Sequence, residues 1–172
     1  MEIRTGTTAD APGVVALLDR TMGWLIDQGR TGQWGDRLWS ERPELVERIE
    51  RYLGTMHARV AVAGDGSPLG ICVVDEEGPQ YALPAPGPEL YLRFLATERA
   101  ASGTGVGAAL VADALAETAR RGLPTLRVDC YGGDDRRLVG QYLKLGFTPC
   151  GTFAVPRPDG SEWPGQFLEI RL

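Results

Sequence analysis

A chain of 172 residues, 43% of them hydrophobic, suits one compact domain with a sizeable core and is short for two, so a single domain over residues 1–172 is expected. A net charge of −5 and a pI near 5.0, with acidic and basic residues interspersed, leave no basic patch for a phosphate backbone, so no nucleic-acid partner is expected. No apolar run is long enough to span a membrane, and residues 1–6 lack the basic-then-apolar layout of a secretory leader; a cytoplasmic protein without a membrane partner is expected.

Residues 2–5 read as a first strand. Thr8-Ala9-Asp10-Ala11-Pro12 offers capping groups for a helix whose apolar residues Val14, Leu17, Leu18, Met22 and Leu25 recur at helical spacing until Gly29. An irregular stretch over 29–40 carries Trp34 and Trp39. A second helix is expected over 43–53, with Pro43 in its first turn and Glu47 and Arg51 spaced for an i,i+4 ion pair. Two β-branched-rich runs, 57–63 and 68–74, joined by Gly64-Asp65-Gly66-Ser67, read as a hairpin. The Pro- and Gly-rich stretch 76–88 is a loop, and 89–96 the next strand.

A glycine-rich turn then opens a helix over 105–121, with Val106, Leu110, Val111, Ala114 and Leu115 on its apolar face. A strand over 125–130 follows, then a short helix over 135–145 ended by Gly146. A hairpin of 147–155 with 167–172, turning at Pro158-Asp159-Gly160, completes the chain. The order β-α-α-β-β-β-α-β-α-β-β calls for a mixed α/β fold, helices packed on one mixed sheet, rather than a doubly wound parallel sheet. Cys72, Cys130 and Cys150 stand apart in apolar stretches and read as buried small side chains. With His57 the sole histidine, no metal set is expected.

The chemistry concentrates in residues 92–110. A strand ends, a loop follows, and Gly103, Gly105 and Gly107 open an amphipathic helix. Glycines let backbone approach a bulky anion, and the free N–H groups and dipole of a helix's first turn face it. Such a cradle needs no lysine, and this chain has one, Lys144, and no asparagine at all. The second segment is Gln141-Tyr142-Leu143-Lys144-Leu145-Gly146-Phe147, a tyrosine on a short helix just before a Gly-Phe that starts the next strand.

Together these segments resemble the GCN5-related N-acetyltransferase (GNAT) superfamily, in which Arg/Gln-x-x-Gly-x-Gly/Ala follows the fourth strand and a Tyr-x-x-x-Gly-Phe element comes later. The element order fits that family over nearly the whole chain. The resemblance implies a central mixed, mostly antiparallel twisted sheet of about six to seven strands flanked by about four helices. It implies acetyl-CoA as acyl donor, with Gly103, Thr104, Gly105, Val106, Gly107 and Ala108 around its pyrophosphate and Leu95, Ala96 and Thr97 along its pantetheine arm. Ser102 stands where the family usually has Arg or Gln, and Asp135, or else Asp134, where many members have a cofactor-touching asparagine.

By the same resemblance an amine attacks the thioester directly, with Tyr142 giving a proton to the leaving thiolate, a task suited to a phenol of pKa about 10. For the base, Glu89 at the start of one strand leads, and Asp129 at the end of the next is the alternative. The acceptor is expected to be a small-molecule amine, an antibiotic or another metabolite, in an aromatic and partly acidic cleft. Trp24, Gln28, Trp34 and Trp39 would wall that cleft and Trp163 would reach it from the last hairpin, packing on the amine or making cation–π contact. The same aromatics suit core packing or a dimer contact, which leaves a homodimer open. A longer acyl donor also stays open.

Two other readings compete. Gly103-x-Gly105-x-x-Ala108 with Asp129 satisfies a loose dinucleotide-binding pattern, but residues 97–102 separate strand from glycine, and too little chain follows Asp129 to finish such a fold. A Walker loop is excluded by the lack of Gly-Lys-Ser/Thr. A non-catalytic acyl-CoA-binding module of the same shape is the second rival.

Overall fold

The structure, a computed structural model, describes residues 1–82 and 85–172; the loop expected over 76–88 lies partly outside them, as does the side chain of Asp134. The elements are β1 (Glu2–Thr5), α1 (Ala11–Asp27), α2 (Pro43–Thr55), β2 (His57–Val62), β3 (Pro68–Asp75), β4 (Leu90–Thr97), α3 (Val106–Arg120), β5 (Thr125–Tyr131), α4 (Arg137–Lys144), β6 (Thr148–Pro156) and β7 (Glu162–Arg171). This is the expected order.

The strands form one open sheet in the order β1-β2-β3-β4-β5-β7-β6, antiparallel except between β4 and β5. Side chains along the central strands alternate between two cores, one on each face. Ile71 and Val73 of β3 join Val14, Leu17, Leu18 and Ile49 under α1 and α2. Cys72 and Val74 join Leu110, Val111 and Ala114 of α3 on the other face. Gly70 lets α3 settle there: a Cβ at that position would come within 2.9 Å of Leu110 Cδ1 and 3.0 Å of the Ala96 carbonyl.

Local chemistry sets the boundaries. Ahead of α1, the Asp10 carboxylate accepts a 2.8 Å hydrogen bond from the Thr7 N–H and pairs with Arg4 at 2.6 Å, which fixes the entry from β1. Four expectations change. Cys72 and Cys130 are buried, but Cys150 on β6 is exposed. α4 begins at Arg137 because Asp135 and Arg136 hold left-handed backbone at φ 61° and 58°. β7 begins at Glu162, well before 167: Pro164 and Gly165, left outside the expected strand, pair with Ala154 and Phe153, and a Cβ at Gly165 would strike the Phe153 ring. Glu47 and Arg51 form no ion pair; the Arg51 guanidinium instead lies 5.9 Å from the centre of the Tyr52 ring.

Candidate active site

The parallel seam between β4 and β5 lasts three residue pairs, Leu90↔Leu126, Tyr91↔Arg127 and Leu92↔Val128. Beyond it, β4 carries a bulge against β3: Val74 faces Leu92 and Val73 faces Phe94, so Arg93 is the extra residue. A bulge bends its strand and adds twist, and this one turns β4 away from β5 where their pairing stops. The two strands part, and among the described residues no strand fills the gap. The resulting cleft, of about 620 Å³, is lined by Leu92 to Thr97 on one side and Val128 to Tyr131 on the other. Leu95, Ala96 and Thr97, read from the sequence as a cofactor edge, lie along it.

At the mouth of the cleft stands the first turn of α3. Gly103 and Gly105 have φ of 81° and 89°, a region that costs a residue with a Cβ roughly 1–2 kcal/mol. A Cβ on either would meet nothing within 4 Å, so backbone shape rather than crowding calls for glycine. The first backbone bond into the helix is Ala109 N–H to the Gly105 carbonyl. The N–H groups of Gly105, Val106, Gly107 and Ala108 therefore have no backbone acceptor among the described residues. Gly107 lines the cleft, whereas Gly103, Thr104, Gly105, Val106 and Ala108 do not. Val106 turns its side chain into the core, and the Thr104 hydroxyl donates to the Ala101 carbonyl at 2.7 Å. What this turn offers a ligand is main chain.

Tyr142 rises into the same cleft from α4, with its ring edge-on to Phe147 at 5.5 Å. The chain reverses at Gly146, φ 94°, and the Phe147 N–H donates to the Tyr142 carbonyl at 3.1 Å, so the Gly-Phe pair fixes the tyrosine from behind. The phenol makes no hydrogen bond to protein among the described residues. Burial, with the nearby Cys130 and Asp129, holds its pKa well above 10 and keeps the hydroxyl protonated.

The two carboxylates separate. Glu89 sits at the closed end of the seam, outside the cleft, where it faces Arg127 at 3.4 Å. Asp129 lies within it: Oδ1 accepts from the Tyr91 hydroxyl at 2.5 Å and Oδ2 from the Tyr81 hydroxyl at 3.1 Å. Burial raises the Asp129 pKa above 3.8, against the lowering effect of the two phenols. Strand order explains the difference, because Glu89 immediately precedes β4 at the end where the strands are paired, and Asp129, the fifth residue of β5, lies where they have parted.

On the α1–α2 side, Trp24, Trp34 and Trp163 line the cleft, but Gln28 is an exposed cap at the end of α1 outside it. Trp39 is core, 1% exposed, with Nε1 donating to the Leu45 carbonyl. Trp163 ties the last hairpin to this wall by donating to the Gln33 carbonyl at 3.1 Å. Asp135 is exposed, faces Arg137 at 3.9 Å and does not line the cleft. The cleft is not partly acidic either. Arg30, Arg48, Arg51, Arg93, Arg99 and Arg137 line it, and among the described residues Asp129 is its one carboxylate. Those arginines are dispersed through the sequence and carry no motif; only helical spacing, which sets Arg48 and Arg51 three apart on α2, hints that two share a face.

Solved structures share this architecture over almost their whole length. A ribosomal-protein-alanine N-acetyltransferase from Brucella melitensis superposes with a TM-score of 0.67 at 22% identity, covering 100% of both chains. A GNAT-family acetyltransferase from Listeria monocytogenes gives 0.70 at 18%, covering 99% of this chain and 94% of that one. Salmonella typhimurium yncA, solved with its cofactor acetyl-CoA, gives 0.66 at 17%, covering 99% and 93%. No curated protein matches the chain at a significant level. The sequence itself matches the acetyltransferase (GNAT) family over residues 21–147, most of its length, and the chain belongs to that family. The family's acyl donor is acetyl-CoA, and the left-handed glycines and unpaired N–H groups ahead of α3 suit its pyrophosphate.

Proposed function

We propose that this protein is an N-acetyltransferase whose whole chain, residues 1–172, works as one cytoplasmic domain, moving an acetyl group from acetyl-CoA onto the amine of a small molecule. The observation that carries the reading is the convergence on one cleft of the α3 N-terminus, the parted edge of β4, and Tyr142. Acetyl-CoA, when bound, supplies the acetyl thioester. The residues 103–108 would hold its pyrophosphate by main-chain N–H groups and the helix dipole, with Arg99 and Arg137 near enough to add charge. Leu95, Ala96 and Thr97 would hold the pantetheine arm by the strand edge that β5 leaves open.

Holding amine and thioester together makes the attack effectively unimolecular and removes much of its entropic barrier. The amine must lose a proton to attack. Asp129 is the best-placed group to take it, directly or through a water, because its pKa is raised while the two phenols keep it oriented. A C–N bond forms, the C–S bond breaks, and Tyr142 gives its hydroxyl proton to the departing sulfur. The products are an amide and CoA thiol; one amine proton leaves by way of Asp129, and the second, shed as the amide forms, restores the Tyr142 hydroxyl. Glu89, paired with Arg127 away from the cleft, takes no part.

Calorimetric titration with acetyl-CoA, with NAD as a parallel control, tests the donor. A screen of amines for thiol release then tests turnover. Micromolar acetyl-CoA binding with silence from NAD and turnover of an amine is the expected result. Binding without turnover of any amine would favour a non-catalytic acyl-CoA module.

A further inference from the structure

Among the described residues, Arg48 is the arginine of the acceptor wall with a buried nitrogen that has no hydrogen-bond partner. It projects from the middle of α2 into the cleft, and it also lines the adjoining hollow formed by Trp34, Trp39, Arg42 and Trp163. Its Nε is closed off from solvent and has no hydrogen-bond partner. No carboxylate pairs with it among the described residues. Glu44, one turn earlier on the same helix, is taken by Arg42 at 3.2 Å, and the phenols of Tyr52 and Tyr81 are the electronegative groups nearest in influence. Burial, followed by the positive charges of Arg42 and Arg51, disfavours its charged form. Arg48 is part-buried, and a guanidinium partly withdrawn from water without a counter-charge carries a cost that a ligand of opposite charge would relieve.

The side chain is also held ready. Its guanidinium carbon lies 5.1 Å from the centre of the Trp39 ring, and Trp39 is itself buried and pinned to the Leu45 carbonyl. A planar cation held over a fixed ring can turn its terminal N–H groups to the cleft, where they would read an oxyanion by paired hydrogen bonds. Asp129, the one carboxylate of the cleft among the described residues, is on β5 and already accepts hydrogen bonds from two phenols.

We infer that the acceptor is a primary amine that also carries a carboxylate or another small oxyanion, and that Arg48 binds this anion while the amine faces Asp129 and the thioester. The inference rests on the acetyl-transfer reading for the amine but not for the anion. It disfavours a polycationic acceptor, for which an arginine-lined wall is repulsive.

The test is calorimetric titration of the purified protein, with and without saturating CoA. The probes are free amino acids and aminoalkylphosphonates, each run against its neutral amide or ester. At least one acid should bind about tenfold or more tightly than its neutral partner, and Arg48→Gln should erase that preference while leaving acetyl-CoA affinity unchanged. Arg48→Lys, which keeps the charge but loses the planar fork, should keep a reduced preference. The carboxylate and phosphonate arms show which oxyanion the site takes. Neutral partners binding as tightly as acids, no saturable binding by any acid at millimolar concentration, or a preference that survives Arg48→Gln would each overturn the inference. Failure of acetyl-CoA to bind would instead strike the proposed function, because the anion titrations do not depend on turnover.

Discussion

Asp129 and Tyr91 meet just past the last paired rung of β4 and β5, where the Tyr91 hydroxyl gives the Asp129 carboxylate a 2.5 Å hydrogen bond. Tyr91 itself is almost fully buried, so the bond works from below, aiming a partly desolvated carboxylate into the widening cleft. Burial raises the Asp129 pKa and the Tyr91 bond lowers it, so the two effects oppose each other on one group. If Asp129 is the base, kcat/KM rises with pH through an acid limb above 3.8. Tyr91→Phe removes a bond to the charged form and should move that limb to higher pH, while Asp129→Asn should lower turnover at least about tenfold. pH–rate profiles of the three proteins decide the matter, and an unmoved limb in Tyr91→Phe would remove Asp129 from the mechanism.

Tyr142→Phe deletes one oxygen that has no protein partner among the described residues, so the fold has little to lose by it. Turnover should fall about tenfold or more, with acetyl-CoA binding nearly unchanged. Comparing kcat with the calorimetric affinity separates the two effects, and an unaltered kcat would make the tyrosine a packing residue only.

Gly105→Ala puts a Cβ into open space but asks alanine to hold φ 89°. The loop then either keeps its shape at a cost of roughly 1–2 kcal/mol or relaxes and turns its N–H groups aside. Acetyl-CoA affinity should drop by about tenfold while the melting temperature falls only a few degrees. A large loss of stability with affinity retained would show that the glycine serves folding instead.

Glu117 offers a test of stability that does not involve the cleft. On α3 it accepts from Arg120 at 2.6 Å and from Arg121 at 2.7 Å, and these bonds hold its pKa at about 2 instead of 4.5. Its folded pKa is depressed, so the contribution is whole above 4.5 and is lost as pH falls toward 2. Urea unfolding at stepped pH should show Glu117→Gln less stable than the parent at neutral pH, with the two curves converging in acid. Parallel curves would mean that the pair is screened to insignificance, which the 70% exposure of Arg120 makes worth testing.

The parts of this architecture that obey short-range rules were legible in the sequence. Helical spacing from Val14 to Leu25, the hairpin turn at Gly64 to Ser67, and the glycines before Val106 each act within a few residues, and each element is found where expected. The Tyr142–Phe147 element is equally local, since a main-chain bond and one reversal at Gly146 create it. What the sequence hid depends on partners far along the chain. The choice between Glu89 and Asp129 turns on how many rungs join β4 to β5, and that follows from a bulge at Arg93 that no local signal announces. Pro164 and Gly165 lie outside the expected strand, and only Phe153, packed over the glycine, draws them into it. The arginine wall is gathered from four elements and their flanking turns, and no window of sequence contains it.

The main-chain character of the turn ahead of α3 bears on how such a protein changes over generations. Drift in base composition acts on side chains, and this chain has one lysine and no asparagine. An anion held by N–H groups is indifferent to that drift so long as the glycines stay. Ser102 can therefore replace a longer polar residue without dismantling the donor end. The opposite wall is made of side chains, among them Trp34, Arg48 and Arg51, and a single codon change there would reshape the cleft. One half of the site is conservative by construction and the other is free to diversify, so new acceptors can be acquired without rebuilding the grip on the donor.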